Sequence, residues 1–129
     1  MLVGERMRRN PVTVTEDVGI GEALRIMKDN KIRRLPVLNR HGKLVGIVSE
    51  KDLLQASPSQ ATTLSIFELN YLLSRLTVKK VMTSPVITVD EQTPLEEAAR
   101  IMVDNRIGGL PVVEGDELVG IITETDLFK

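Results

Sequence analysis

The chain has 129 residues, enough for one compact domain or two very small ones. Lysine plus arginine number 17 and aspartate plus glutamate 18, and the resulting net charge of -1 argues against binding nucleic acid or an anionic membrane by bulk charge. With no cysteine and one histidine, disulfides, thiolate zinc sites, thiol nucleophiles and His-rich metal sites are excluded, and an aromatic content of 2% is too low for a base-stacking platform.

In chain order, Met1 to Pro11 carries Arg6, Arg8 and Arg9 without the apolar core of a signal peptide; the cluster offers charge for phosphates or nucleic acid, but an exposed arm is the plainer reading. No apolar run reaches the ~18 residues that span a bilayer. The expected protein is soluble and cytoplasmic. Val12 to Thr15 is short, β-branched and alternating, which predicts a strand. Ile20, Ala23, Leu24 and Met27 share one face of a helix. Leu35 to Leu38 and Leu44 to Val48 read as strands, joined by a hairpin loop, Asn39 to Lys43. His41, beside Gly42 in that loop, is a turn residue rather than a catalytic base. A short helix starts at Ser49, and Gln55 to Thr63 is a polar loop. Ser65 to Glu68 has the form of a capping box. It opens a helix striped with Ile66, Leu69, Leu72 and Leu73, which either covers the sheets or meets another subunit. In the next helix Leu95, Ala98, Ala99 and Met102 form the apolar face. Its start is marked by Thr93 as N-cap, Pro94 in the first turn and Glu96 closing a capping box.

The chain is written twice. Met7 to Val14 lies over Met82 to Val89, Glu22 to Asn30 over Glu97 to Asn105, and Leu35-Pro36-Val37 over Leu110-Pro111-Val112. Leu44 to Ile47 lies over Leu118 to Ile121, with one residue lost in the polar turn between them. Each copy, at about 50 residues, is too small to bury a core alone. The expected fold class is α/β (α+β): two β-α-β-β-α motifs packed with pseudo-twofold symmetry. The expected boundaries are 1–57 for the first motif, 58–80 for the connecting loop and helix, and 81–129 for the second motif.

The chemistry-bearing pattern is Ser49-x-x-Asp52, repeated as Thr123-x-x-Asp126. Two compatible readings fit it. In one, hydroxyl and carboxylate form a capping box that stabilises the helix by about 1 kcal/mol. In the other, the carboxylate grips the two hydroxyls of a ribose, while free amides and the hydroxyl hold a phosphate. Glu50, Asp52, Glu124 and Asp126 do not have a spacing that demands a divalent ion. Nothing resembles a nucleophile–base pair or a Walker phosphate loop.

Met7 and Met82, the two Leu-Pro-Val segments, and Gly46-Ile47-Val48-Ser49-Glu50-Lys51-Asp52 with Gly120-Ile121-Ile122-Thr123-Glu124-Thr125-Asp126 together resemble a tandem CBS (Bateman) module over nearly the whole chain. The stretch Ala61 to Leu73 is similar to the linker of acetoin-utilization-type CBS proteins. Many of these carry an ACT-like domain after the pair, which fits the ending of this chain one turn into a helix. The resemblance implies a non-catalytic regulatory module that binds AMP, ADP or ATP in clefts between the motifs and signals to a partner, with S-adenosylmethionine or NAD as further candidates and no required cofactor or metal. The other expectation is a dimerisation scaffold with empty pockets. Carried over residue by residue, site A joins Met7, Asn10, Val12, Ile32, Arg33 and Arg34 to Ile121, Thr123 and Asp126. Site B joins Met82, Pro85, Ile87, Ile107, Gly108 and Gly109 to Ile47, Ser49 and Asp52. Arg33-Arg34 against Gly108-Gly109 makes site A the one suited to phosphate. The resemblance also implies a homodimer, while the charge balance and the lack of a spanning apolar run argue against a membrane or nucleic-acid partner.

Overall fold

The computed structural model describes residues 1–57 and 65–128. In chain order the elements are β1 (Arg8–Arg9), β2 (Val14–Thr15), α1 (Ile20–Asn30), β3 (Arg34–Leu38), β4 (Leu44–Ser49), α2 (Glu50–Ala56), α3 (Ile66–Arg75), α4 (Leu95–Asn105), β5 (Gly109–Glu114), β6 (Glu117–Thr123) and α5 (Glu124–Leu127), with 3-10 turns at Val3–Glu5 and Val78–Lys80. The fold is mixed α/β with two sheets, as expected. Contacts gather the chain into two compact units, Thr13–Pro85 and Met1–Val12 with Val86–Lys129.

In the unit Thr13–Pro85 the sheet order is β2-β3-β4, with β2 parallel to β3 and β3 antiparallel to β4. The helical spacing of Ile20, Ala23 and Met27 buries all three against Leu35, Val37, Val48, Leu53 and Val78. In the other unit the order is β1-β6-β5, all antiparallel. Ala98 and Met102 bury the face of α4 against Val3, Leu110, Val112 and Ile122. Helices α1 and α4 end identically. Lys31 and Arg106 take left-handed φ of 56° and 54°, and the next amides, Ile32 and Ile107, donate back to Met27 and Met102. That is a Schellman closure made without glycine.

Each unit combines the body of one copy with the lead-in of the other. The Val78 and Lys79 amides donate to the Val18 and Glu16 carbonyls, and Ile20 donates to Leu76. The same three bonds recur in the other unit: Val3 to Thr93, Gly4 to Glu91, and Leu95 to Met1. Val3 and Val78 are both fully buried. The repeat therefore begins at Val3 and Val78, four residues before the methionines that reveal it in sequence. The lead-ins also explain the repeated glycines. A Cβ on Gly46 would lie 2.5 Å from Met82 Sδ, and one on Gly120 would lie 2.8 Å from both Met7 Sδ and the Arg8 carbonyl oxygen.

Several expectations change. Met1 to Pro11 is not a loose arm: Arg8–Arg9 pairs with β6, and Arg9 donates to Glu91 at 2.7 Å. The strand expected over Val12 to Thr15 shrinks to Val14–Thr15, the stretch paired with β3. Its counterpart is reduced to a parallel bridge between Val89 and Val112. Helix α4 is capped by Pro94, without a side-chain bond, because the Thr93 hydroxyl is held by Asp90 instead. Gln55 and Ala56 extend α2 rather than open a loop, and the remainder of that expected loop, 58–63, lies outside the described residues. Helix α3 forms where expected, with Ser65 accepting from the Glu68 amide, yet Ile66, Phe67, Tyr71 and Leu72 stay exposed.

Val3→Ala and Val78→Ala are each expected to destabilise the protein by about 2 kcal/mol, from lost burial plus a cavity. Urea unfolding followed by circular dichroism checks this, and a change below about 0.5 kcal/mol would show that the lead-ins are not part of the core.

Candidate functional site

In the unit Thr13–Pro85, β4 delivers Ser49 in an extended conformation and α2 begins at the next residue. Ser49 Oγ accepts from the Asp52 amide at 3.1 Å, and Asp52 Oδ2 accepts from the Ser49 amide at 3.2 Å. The capping box is therefore made in both directions. The Glu50 amide donates to the Arg33 carbonyl at 2.8 Å, and Arg34 lies opposite Ser49 in the ladder. The lead-in completes the surroundings: Ile47 and Thr83 exchange both backbone bonds, at 3.2 and 2.9 Å, while Met82 lies against Gly46. The fold thus gathers Ile47, Ser49, Asp52, Met82, Arg33 and Arg34 in one unit.

The other unit repeats the turn with Thr123 at the end of β6. Asp126 Oδ2 accepts from the Thr123 amide at 2.9 Å and from its hydroxyl at 3.1 Å. The Glu124 amide donates to the Gly108 carbonyl at 2.9 Å, and Gly109 faces Thr123 in the ladder. Strand β1 places Arg8 opposite Ile121 and Met7 against Gly120. Asn10 takes a left-handed φ of 53°, and Val12 is exposed. Met7, Ile121, Thr123, Asp126, Gly108 and Gly109 therefore share a unit with Asn10, Val12, Ile87 and Ile107. Ile32, Arg33, Arg34 and Pro85 belong to the other unit.

Two features depart from the sequence reading. The helix-start amides are not free: the first is taken in both units by the carbonyl of the residue just before a strand, Arg33 or Gly108, and the Asp52 amide is taken by the Ser49 hydroxyl. The two carboxylates also differ. Asp126 is fully buried, with Arg8 Nε 3.6 Å from its Oδ1, and Arg6 donates to its backbone carbonyl at 3.3 Å. Asp52 is half-buried. Arg8 stood out in the sequence as one of three clustered arginines, but nothing there pointed to its contact with Asp126. No group of three His, Asp or Glu among the described residues is arranged to hold a metal. Among the same residues, no helix is long and apolar enough to cross a membrane.

A family model for the CBS domain matches residues 3–59 and 78–129. The chain belongs to the CBS domain family. Its match starts at Val3 and Val78, where the buried lead-ins start. Among curated relatives it is 39% identical over 127 residues to the uncharacterized protein MJ1404 of Methanocaldococcus jannaschii, covering 95% of this chain and 30% of that one. The chain thus spans under a third of that relative's length. Among solved structures it resembles the CBS domain pair of protein MJ0100 in complex with 5'-methylthioadenosine and S-adenosyl-L-methionine, with 31% identity, a TM-score of 0.82, and coverage of 99% of this chain and 93% of that one. CBSX2 in complex with AMP gives 32% identity, a TM-score of 0.78, and coverage of 98% and 93%. A putative acetoin utilization protein (AcuB) from Vibrio cholerae gives 35% identity, a TM-score of 0.79, and coverage of 99% and 87%.

Ser49→Ala removes the hydroxyl that satisfies the Asp52 amide, and is expected to lower stability by about 1 kcal/mol. Ser49→Thr, the residue at the equivalent place in the second copy, is expected to restore most of it. Paired urea melts check both, and equal stability of the alanine and threonine variants would contradict the capping role.

Proposed function

We propose that this CBS pair is a non-catalytic regulatory module that binds adenosine-containing ligands, AMP, ADP or ATP, and passes the ligand state to a partner domain or protein. The observation that carries the reading is the twofold occurrence of one arrangement. In both units a carboxylate three residues past the end of a β-strand lends one oxygen to the local turn, on a strand whose glycine packs against a lead-in methionine. The equivalent residues Val12 and Ile87 are β-branched and exposed, as walls for an adenine would be and core residues would not. Solved CBS pairs of over 30% identity hold AMP, S-adenosylmethionine and 5'-methylthioadenosine. In this reading Asp52 and Asp126 accept from ribose hydroxyls. Ile47, Met82 and Ile87, with Ile121, Met7 and Val12, contact the base. Arg34 supplies charge for a phosphate.

Binding linked to folding stabilises the native state by about 2.7 kcal/mol at a hundredfold excess over Kd, and so raises the melting temperature with ligand concentration. Thermal-shift titrations with AMP, ADP, ATP, S-adenosylmethionine and NAD are expected to show this, and Asp52→Ala combined with Asp126→Ala to remove it. No shift with any ligand would leave the scaffold reading. Arg34→Ala is expected to weaken AMP and ATP more than adenosine in calorimetry, and equal losses would overturn the phosphate role.

The module is also proposed to form a homodimer. Helix α3 leaves Ile66, Phe67, Tyr71 and Leu72 exposed on ten residues of helix, an apolar surface dense enough to favour association. Light scattering is expected to give a dimer that Phe67→Glu dissociates. A monomer at high concentration would contradict it.

A further inference from the structure

Arg8 follows the buried Met7 on β1 and is fixed opposite Ile121 by the pairing with β6. That register brings its side chain to Asp126, with Nε 3.6 Å from Oδ1. The two carboxylate oxygens are thereby distinguished: Oδ2 accepts from the Thr123 amide and hydroxyl, while Oδ1 faces the guanidinium. The carboxylate side chain is fully buried, whereas 53% of the Arg8 side chain is exposed. Burial of a charged carboxylate is unfavourable without a countercharge, so Arg8 stabilises the ligand-free state. At 3.6 Å the contact is too long for a hydrogen bond, and a half-exposed partner leaves it without breaking one.

The other copy lacks this device. Thr83 stands where Arg8 does and Val81 where Arg6 does, and Asp52 forms no ion pair among the described residues. The difference is written in the lead-ins, and it changes what each carboxylate offers an incoming ligand.

We propose that Arg8 is a specificity-determining residue at Asp126, selecting phosphorylated over neutral nucleosides; this rests on the adenosine-binding reading above. A ribose diol that claims Oδ1 displaces the guanidinium. A nucleoside phosphate re-pairs it, exchanging one anionic partner for another. A neutral nucleoside strands it and binds against a standing competitor. A sulfonium-bearing nucleoside adds like charge to the displaced arginine.

The test is calorimetric titration of adenosine and AMP, with Asp52→Asn in every protein so that only the Asp126 site is read. Arg8 is compared with Arg8→Gln and with Arg8→Thr, which copies the residue the chain uses at Thr83; circular dichroism confirms that each is folded. Either replacement is expected to tighten adenosine binding roughly two- to fivefold by removing the competitor. Either should also reduce the preference for AMP over adenosine by about tenfold, since a charge-assisted bond to phosphate is lost. An unchanged AMP-to-adenosine ratio in a folded variant would overturn the role of Arg8 while leaving the adenosine reading intact. Failure of the Arg8 protein to bind either compound would remove the adenosine reading at Asp126, and this inference with it.

Discussion

Each unit depends on a buried valine delivered by the opposite copy. Val3 and Val78 are fully enclosed, and the amides around them are bound by carbonyls of the turn that precedes the first helix of the other copy. Neither copy supplies this residue to itself. A body of about 50 residues is short of apolar surface for an independent core, and the borrowed lead-in adds both burial and backbone hydrogen bonds. The exchange makes the tandem repeat obligatory, because the chain from Thr13 to Pro85 closes one unit only by including the segment that introduces the second motif.

The same exchange sets up the sites. Once a lead-in lies across the antiparallel strand pair, it meets that strand at a glycine, Gly46 or Gly120, where no side chain intervenes. The methionine of the lead-in fills the space. The strand then runs three residues further to the hydroxyl that starts the turn, and three more bring the carboxylate. The distance from buried valine to acidic side chain is thus fixed by core packing rather than by a loop, which is the condition for a preorganised polar group in an apolar surround. The lead-ins are also where the copies diverge: Arg8, in the place of Thr83, pairs with the buried Asp126, while the half-buried Asp52 is held in its capping box and forms no ion pair among the described residues.

Much of this was legible in the sequence. The period of Ile20, Ala23 and Met27 placed α1, Ser49-x-x-Asp52 marked the start of α2, and the paired Leu-Pro-Val and Leu-Val-Gly segments marked the strands. Local hydrogen bonding and one-sided burial decide such elements, and both leave a pattern. The errors fell where a side chain had two local partners to choose from, or where partners were distant. Thr93 turned back to Asp90 instead of capping α4. The arginine-rich start read as a solvated arm because its strand partner, β6, lies more than a hundred residues away.

The sequence by itself determined the duplication, the alternation of helix and strand, the position of both Ser/Thr-x-x-Asp turns and the family they resemble. These follow from short-range periodicity and from self-similarity, which need no coordinates. Only the tertiary structure decided that Val3 and Val78 are buried, that the lead-ins cross to the opposite bodies, and that Arg8 sits on Asp126. Those facts arise from pairing and burial between segments far apart in the chain, and no local pattern encodes which distant backbone will accept a given amide.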